Sequence, residues 1–262
     1  MISRQGGIEF SISDAKRLAN ETKEVALKAG ADLVGIVSAE IYDEFPRIWV
    51  GWTIQKYTIK ASEIMSDAKS IVVMGFHVWD DMLELAVRKE EKQIIQRQLT
   101  QSWKWIYPGY FPLKVLSLEI KNHIEKIGFK AVHFNDASGK RLAQLAGLGS
   151  FGKNTLIINP IYGPWIRFAT ILTNAEMAED NPFDRDLCGD CKACIEECPV
   201  GALTPYKLDD AKCLVGIHIT GRNEEISKYG EKLKVHEPNI TKNAHLMCMK
   251  CQKACKYGRK RH

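Results

Sequence analysis

The stretch "CGDCKACIEECP", Cys188 to Pro199, places four cysteines in the spacing C-x2-C-x2-C-x3-C-P. A tight loop of this kind brings its first three thiolates around one face of a cubane cluster. Its fourth cysteine, followed by proline, points to a different cluster. The spacing therefore predicts iron–sulfur ligation and a ferredoxin-like fold for the C-terminal part of the chain.

The remaining cysteines complete a second set of ligands. All eight cysteines of the chain lie after residue 187, and "CMKCQKAC" carries the last three. Two sets of four therefore leave no cysteine over. Following the interlocked pattern of two-cluster ferredoxins, we expect one 4Fe–4S cluster on Cys188, Cys191, Cys194 and Cys255 and the other on Cys198, Cys213, Cys248 and Cys251.

A pair of structural zinc sites is the alternative use of eight cysteines. Structural zinc is usually held by separated C-x2-C pairs. Here three cysteines follow one another as C-x2-C-x2-C, and a fourth stands directly before Pro199. This arrangement favours iron–sulfur clusters over zinc.

Composition and terminal sequence indicate a soluble cytoplasmic protein. The 262-residue chain is 45% hydrophobic and 26% charged, with a net charge of +5 gathered mainly near its end. No apolar run reaches the ~20 residues of a membrane helix, and "MISRQGGIEF" has no features of an export signal. We therefore expect a cytoplasmic location and no membrane partner. In that compartment clustered cysteines serve as metal ligands or catalytic groups more often than as disulfides.

Helices and strands alternate before the cysteines, and a polar stretch, "AEDNPFDRD", marks a boundary. We expect a domain over residues 1–180 and a ferredoxin-like domain with two clusters over residues 181–262. The pattern predicts helices at "AKRLANETKEVALKA", "MLELAVRKEEKQIIQRQL", "PLKVLSLEIKNHIEKI" and "KRLAQLA" and strands at "DLVGIV", "SIVVMGF", "KAVHFN", "TLIINP" and "WIRFATILTN". This mixture predicts an α+β or α/β domain whose sheet is covered by helices.

The stretch "AGLGSFGKN", Ala146 to Asn154, contains both G-x-G-x-x-G and G-x-x-x-x-G-K. Nucleotide-binding loops of either type follow a strand and open a helix. Here the predicted helix precedes the loop and the strand follows it, so neither motif has its required context. A flexible helix terminus explains one glycine, whereas three glycines within six residues indicate a close approach of the backbone to something bulky.

At this point the sequence resembles a known family. The stretch "LAGLGSFGKNTLIINPIYGPWIRFATILTN", followed by "CGDCKACIEECPVGAL", is similar to epoxyqueuosine reductases and to the catalytic core of reductive dehalogenases. The resemblance implies an α+β domain with a nitroreductase-like mixed sheet and flanking helices, which binds cobalamin. It also implies that the ferredoxin-like module feeds electrons to that cofactor. The loop residues expected to approach the corrin are Gly147, Gly149, Gly152, Lys153 and Asn154.

The resemblance also implies an acidic proton donor after the strand that precedes the glycine loop. Asp136 is the first candidate, and His133 is the runner-up because an ungapped count back from the loop reaches it. An aspartate at the end of a strand also commonly caps the next helix, which is the structural alternative.

Taken together, these features predict a cobalamin-dependent iron–sulfur reductase supplied by a low-potential donor of ferredoxin or flavodoxin type. Its substrate would be a small molecule or a modified nucleoside, and a tRNA substrate stays open. The segment "SWKWIYPGYFP" departs from the family pattern. That departure keeps a second hypothesis open, an electron-transfer protein that reduces a partner's corrinoid. A third and weaker hypothesis places FMN in the upstream domain.

Overall fold

The computed structural model of the chain describes residues 11–50, 56–79, 84–88, 105–220 and 223–258. The helices are α1 (Ile12–Lys28), α2 (Ala39–Glu44), α3 (Ala61–Ile64), α4 (Phe111–Lys126), α5 (Gly139–Leu145), α6 (Ala193–Glu196), α7 (Leu214–Thr220), α8 (Asn223–His236) and α9 (Lys250–Lys253). The first strands are β1 (Leu33–Ser38), β2 (Trp49–Val50), β3 (Lys56–Tyr57), β4 (Ser70–His77), β5 (Leu85–Arg88), β6 (Trp105–Ile106) and β7 (Ala131–His133). The later strands are β8 (Ser150–Phe151), β9 (Ile157–Ile158), β10 (Ile166–Thr173), β11 (Leu203–Thr204), β12 (Lys207–Leu208), β13 (Asn239–Thr241) and β14 (Ala244–Leu246).

The main sheet has the strand order β1-β4-β10-β7. Each of its neighbouring pairs runs antiparallel, with Leu33 opposite Gly75 and Ile171 opposite both Val72 and His133. The prediction of a mixed sheet is therefore wrong for the described strands, whereas the prediction of an α+β fold is confirmed. Parallel neighbours need a crossover that returns the chain to the same end of the sheet. The connections here bring each strand in from the opposite end.

Helices cover both faces of this sheet. Along β4, Val72 and Met74 pack with α1 and α4, whereas Ile71 and Val73 pack with α2 and α5. Successive side chains of a strand point to opposite faces, so this one strand contributes to two separate hydrophobic clusters. A strand buried on both faces has a continuous apolar sequence, as "SIVVMGF" has.

Helix α1 begins at Ile12, three residues before the predicted stretch that starts at Ala15, and Ser11 caps it. The Ser11 side chain accepts a hydrogen bond from the Asp14 N–H at 3.2 Å, and the Asp14 carboxylate accepts one from the Ser11 N–H at 3.2 Å. This reciprocal capping box satisfies two donors at the start of the helix. At the other end, Gly30 has a φ of 105°, as expected for the residue that ends the helix.

A second four-stranded sheet has the order β13-β14-β5-β6. It corrects one prediction, because Leu85–Arg88 form strand β5 where the sequence pattern predicted a helix. Ala86 is buried between the partly exposed Leu85 and Val87, which is the period of a strand. Long-range pairing with β14 has overridden the local helical preference. The rest of that predicted helix lies outside the described residues.

The same sheet joins segments from both sides of the expected boundary near residue 180. Strands β5 and β6 come from the first part of the chain, and β13 and β14 come from the second. The stretch at the boundary itself lies against the edge of β1. The Asp180 N–H donates to the Ile36 carbonyl at 2.9 Å, and the Asp180 carboxylate accepts from the Ile36 N–H at 2.8 Å. The division into two domains stays a prediction.

The aromatic segment before α4 contributes mainly to packing. Tyr110 packs against the hydrophobic cluster between the main sheet and α4, and burial raises its pKa. Phe111 is 42% exposed, and Trp103 lies outside the described residues. Within the described part of the chain, no helix is both long and apolar enough to cross a bilayer.

Candidate functional site

The loop around Cys188 turns tightly before the short helix α6. Asp186 begins the turn by accepting the Cys188 N–H at 2.9 Å, and the Cys191 N–H donates to the Cys188 carbonyl at 3.0 Å. Gly189 has a φ of 47°, in the left-handed region that favours glycine. Further on, the Ala202 N–H donates to the Cys198 sulfur at 3.3 Å. Turns of this kind point several thiols and N–H groups towards one volume.

The first group of four thiols lies around one cavity. This cavity is lined by Cys188, Cys191, Cys194 and Cys255, together with Lys153 and Asn154. Burial raises the pKa of the Cys194 thiol, and the neighbouring thiols of the other three cysteines raise it further. The four cysteines expected to hold one cluster are therefore neighbours, although Cys194 and Cys255 are 61 positions apart in the sequence.

The second group of four thiols is also close together. Burial raises the pKa of Cys251, and the thiols of Cys213, Cys248 and Cys198 add to the effect in that order. Burial also raises the pKa of Cys213 to about 12. Cys194 contributes to the raised pKa of Cys251 as well, so the two groups of thiols are adjacent.

All eight cysteines are free thiols. Several buried thiols side by side resist ionisation, because low dielectric and neighbouring negative charge both disfavour the thiolate. A bound iron cluster removes that cost, since metal coordination deprotonates the thiols. The donor set and its burial therefore suit two four-cysteine clusters.

The glycines of the loop Gly147–Asn154 are required by the protein's own packing. An added Cβ would lie 2.7 Å from the Asn181 carbonyl oxygen at Gly147 and 2.5 Å from the Ile158 carbonyl oxygen at Gly149. At Gly152 it would lie 2.6 Å from the Ile158 side chain. The close approach inferred from the sequence is therefore an approach to strand β9 and to the chain near residue 181.

Lys153 and Asn154 are buried and connect the loop to the cysteines. The Lys153 N–H donates to the Cys188 sulfur at 3.4 Å, and its ammonium donates to the Gly189 carbonyl. The Asn154 amide donates to the Cys251 carbonyl at 3.4 Å. These contacts account for both residues without a further cofactor, and a role for them or the three glycines towards a corrin stays a prediction.

The two candidate proton donors lie on different faces of the main sheet. His133 follows Ala131 by two residues on the α4 side. His133 is exposed, and partial removal from water together with the nearby charge of Lys121 lowers its pKa. Asp136 lies beyond the end of β7, where its carboxylate forms an ion pair with Lys56 of β3 at 2.6 Å. Its carbonyl also accepts the Ile59 N–H at 3.2 Å.

Two charged features near the glycine loop have no motif in the sequence. Lys140 is exposed overall, but its ammonium donates to the Thr155 carbonyl at 2.9 Å. Partial removal of the ammonium from water, with the nearby charge of Arg167, lowers its pKa to about 8. Arg167 forms a buried ion pair with Glu84. The sequence signal for this ion pair was a single charged residue in each of two largely apolar stretches, Arg167 in "WIRFATILTN" and Glu84 in "LELAV".

Comparison with protein families matches residues 182–204 to a 4Fe-4S binding domain. Among curated proteins, an epoxyqueuosine reductase of Leadbetterella byssophila is 27% identical over 256 residues, covering 92% of this chain and 80% of the relative. The epoxyqueuosine reductase of Bacillus subtilis is 28% identical over 215 residues, covering 76% of this chain and 55% of the relative. The chain thus spans little more than half of that second protein.

Solved structures with the same fold come from two enzyme groups. An epoxyqueuosine reductase with a tRNA stem loop has a TM-score of 0.60 at 20% identity, with coverage of 94% of this chain and 66% of the other. The B. subtilis enzyme, with its catalytic aspartate loop swung out, has a TM-score of 0.59 at 19% identity and the same coverage. A reductive dehalogenase whose structure suggests a mechanism for B12-dependent dehalogenation has a TM-score of 0.54 at 22% identity, covering 82% and 31%.

These comparisons confirm the resemblance to epoxyqueuosine reductases and reductive dehalogenases that the glycine loop and the cysteine motif indicate. The prediction of an oxidoreductase agrees with the name that the curated relatives carry. The match to a 4Fe-4S domain supports iron–sulfur ligation by the stretch that includes Cys188. A nitroreductase-like fold stays a prediction.

Proposed function

We propose that the chain is an iron–sulfur reductase in which two 4Fe–4S clusters carry electrons to a corrinoid. The observation that carries the proposal is the gathering of eight free thiols into two adjacent groups of four. The first group is Cys188, Cys191, Cys194 and Cys255, and the second is Cys198, Cys213, Cys248 and Cys251. When bound, such clusters supply one-electron transfer at low potential.

The chain's own residues position the thiols and shield them from water. The Lys153 N–H donates to the sulfur of Cys188, and the Ala202 N–H donates to that of Cys198. Hydrogen bonds to ligand sulfurs stabilise negative charge and raise the reduction potential of a cluster. The Lys153 ammonium places a further positive charge beside the loop at Gly189.

Cobalamin is proposed from the family resemblance and from the B12-dependent dehalogenase with the same fold. The glycine loop gives no independent support, because protein atoms already occupy the positions of the missing side chains at Gly147 and Gly149. These glycines do not fit an open corrin cradle. We therefore derive no chemical step through the corrin, and FMN stays the weaker alternative.

We further propose that Asp136 donates a proton to the substrate. It lies on the side of Phe134 and α5, whereas His133 lies on the α4 side. A related B. subtilis enzyme has a catalytic aspartate on a loop that swings out of the active site. The Lys56 ammonium lies 2.6 Å from Asp136 Oδ2. This ion pair must open before Asp136 can donate a proton to a substrate.

The proposed substrate is a modified nucleoside or another electrophilic small molecule, and the proposed electron donor is a low-potential ferredoxin or flavodoxin. The nucleoside is supported by the tRNA stem loop bound to one related enzyme. The proposed place of action is the cytoplasm.

Anaerobic cofactor titration tests this function. Protein reconstituted with iron and sulfide is titrated separately with hydroxocobalamin and with FMN. We expect one equivalent of cobalamin to bind, with an electron paramagnetic resonance signal of the base-off form, and no FMN to bind. Binding of neither cofactor would support an electron carrier that serves a partner's corrinoid, and binding of FMN would support a flavin reductase.

A further inference from the structure

Three side chains outside the cysteine groups converge in the C-terminal part of the chain. They are His218 on α7, Glu237 directly after α8, and His245 on β14. One ligand atom from each lies within 4.8 Å of the other two. His218 Nδ1 is 2.9 Å from Glu237 Oε2, and His245 Nε2 is 3.6 Å from the same oxygen. The two imidazole rings stack with centroids 3.6 Å apart.

The carboxylate of this triad is buried, and the groups facing it are imidazoles. The side chains of Glu237 and His245 are 0% and 1% exposed, whereas that of His218 is 26% exposed. Among the described residues, the ion-pair partners of Glu237 are these two imidazoles, and no lysine or arginine pairs with it. A buried carboxylate is costly unless positive charge compensates it, so the site favours a cation.

A hydrogen bond to Glu237 Oε1 fixes the orientation of the carboxylate, and so the direction in which Oε2 points. Glu237 Oε1 accepts the Cys248 N–H at 3.0 Å, which leaves Oε2 facing the imidazoles. Outer hydrogen bonds of this kind orient metal ligands and are characteristic of metal sites. The same bond places the triad next to the backbone of a proposed cluster ligand.

We propose that His218, Glu237 and His245 bind one divalent transition-metal ion of the zinc type, separate from both groups of cysteines. A tetrahedral ion with ligands at about 2.0–2.1 Å holds them about 3.3 Å apart. The measured separations of 2.9 and 3.6 Å from Glu237 lie on either side of that value. One imidazole must turn out of the stack for both nitrogens to face the same ion, because the lone pair of an imidazole nitrogen lies in the plane of its ring. Two imidazoles and one carboxylate suit zinc and similar borderline ions.

The protonation of the triad agrees with this site. Metal ligation requires neutral imidazoles, and burial, followed by the proximity of His218, lowers the pKa of His245 to about 3. The ion would take the place of the hydrogen bond between His218 Nδ1 and Glu237 Oε2. It would also tie α7 to β14 and place positive charge beside Cys248.

Metal analysis of the reconstituted protein tests the site. The protein, carrying its iron and sulfide, is equilibrated with zinc, freed of excess by gel filtration, and analysed for iron and zinc. We expect about one zinc per chain without loss of iron, and a zinc affinity at least tenfold lower in His218→Ala. His236→Ala, which removes a nearby histidine outside the triad, should bind zinc like the unaltered chain. If His218→Ala loses iron, His218→Gln replaces it.

Zinc X-ray absorption separates this site from zinc bound to cysteines. Nitrogen and oxygen ligands lie at about 2.0–2.1 Å, whereas cysteine sulfur lies at about 2.3 Å. The proposal also predicts that zinc moves the reduction potential of one cluster to a more positive value, and that it does so less in His218→Ala. No zinc retained, zinc held on sulfur, or equal affinity in the triad variants would overturn the proposal. This inference is independent of the corrinoid.

Discussion

At the scale of single residues, Lys153 shows how the structure changes the interpretation of a motif. The family resemblance implies that it approaches a corrin, whereas in the structure its N–H donates to the Cys188 sulfur and its ammonium to the Gly189 carbonyl. It is 8% exposed, so water screens its charge poorly. Lys153 therefore belongs to the surroundings of the first group of thiols.

Replacing Lys153 by methionine should lower the reduction potential of one cluster. Loss of a nearby buried positive charge worth about 1 kcal/mol corresponds to roughly 45 mV for a one-electron couple. A redox titration followed by electron paramagnetic resonance measures this shift. The control is Lys192→Met, which removes an exposed charge next to Cys191 and should shift the potential much less. Equal shifts in the two variants would argue against the role given to Lys153.

Gly149 allows a direct test of packing in the glycine loop. In Gly149→Ala the new methyl group would lie 2.5 Å from the Ile158 carbonyl oxygen. Overpacking of this kind costs about 2–3 kcal/mol, so the melting temperature should fall by about 5–10 °C. Gly230→Ala, in α8 with no atom within 4 Å of the added carbon, should leave stability unchanged or raise it. Unchanged stability in Gly149→Ala would contradict the proposed contact.

Residue spacing alone predicted the two sets of cysteines, because ligand spacing in a tight loop is a local property. It did not predict the triad of His218, Glu237 and His245, since these residues are 19 and 8 positions apart and come together only through α7, α8 and β14. The ion pair between Lys56 and Asp136 could not be predicted either, because its members are 80 positions apart in the sequence.

At the scale of elements, local patterns predicted most of the helices and strands. The caps of α1 and the apolar run of β4 are encoded within the segments themselves. The stretch Leu85–Arg88 was predicted wrongly because its strand depends on β14, which lies more than 150 residues further along the chain. Such pairing cannot be inferred from local periodicity.

The loop after β7 carries the prediction about proton transfer. Asp136→Asn should lower kcat at least about 100-fold, the usual contribution of a positioned acid, while the iron content stays unchanged. The assay uses an epoxyqueuosine-modified tRNA stem loop with a low-potential reductant. A greater loss in His133→Asn than in Asp136→Asn would identify the other side chain as the donor.

At the scale of the whole molecule, the second sheet connects the two expected domains. Strand β14 pairs with β5 through Ala244 and Val87. The composition shift near residue 180 correctly marks where cysteines begin. It could not indicate that the two parts share a sheet.

A fragment of residues 181–262 should therefore fail to form a stable iron–sulfur protein on its own. It lacks β5 and β6, and it also lacks the N–H of Lys153 and the amide of Asn154 that contact the cysteine loops. Iron retained after anaerobic gel filtration, compared with the full chain, measures the effect. A fragment that keeps all its iron would show that the module folds independently.

The central claim is that this chain holds two 4Fe–4S clusters on its eight cysteines. The most direct test is metal and sulfide analysis of anaerobically purified protein together with its visible absorption. We expect about eight iron and eight sulfide per chain, because each of the two clusters contains four of each. We also expect a brown colour that bleaches on reduction. Two zinc ions per chain, no sulfide and no visible absorption would contradict it.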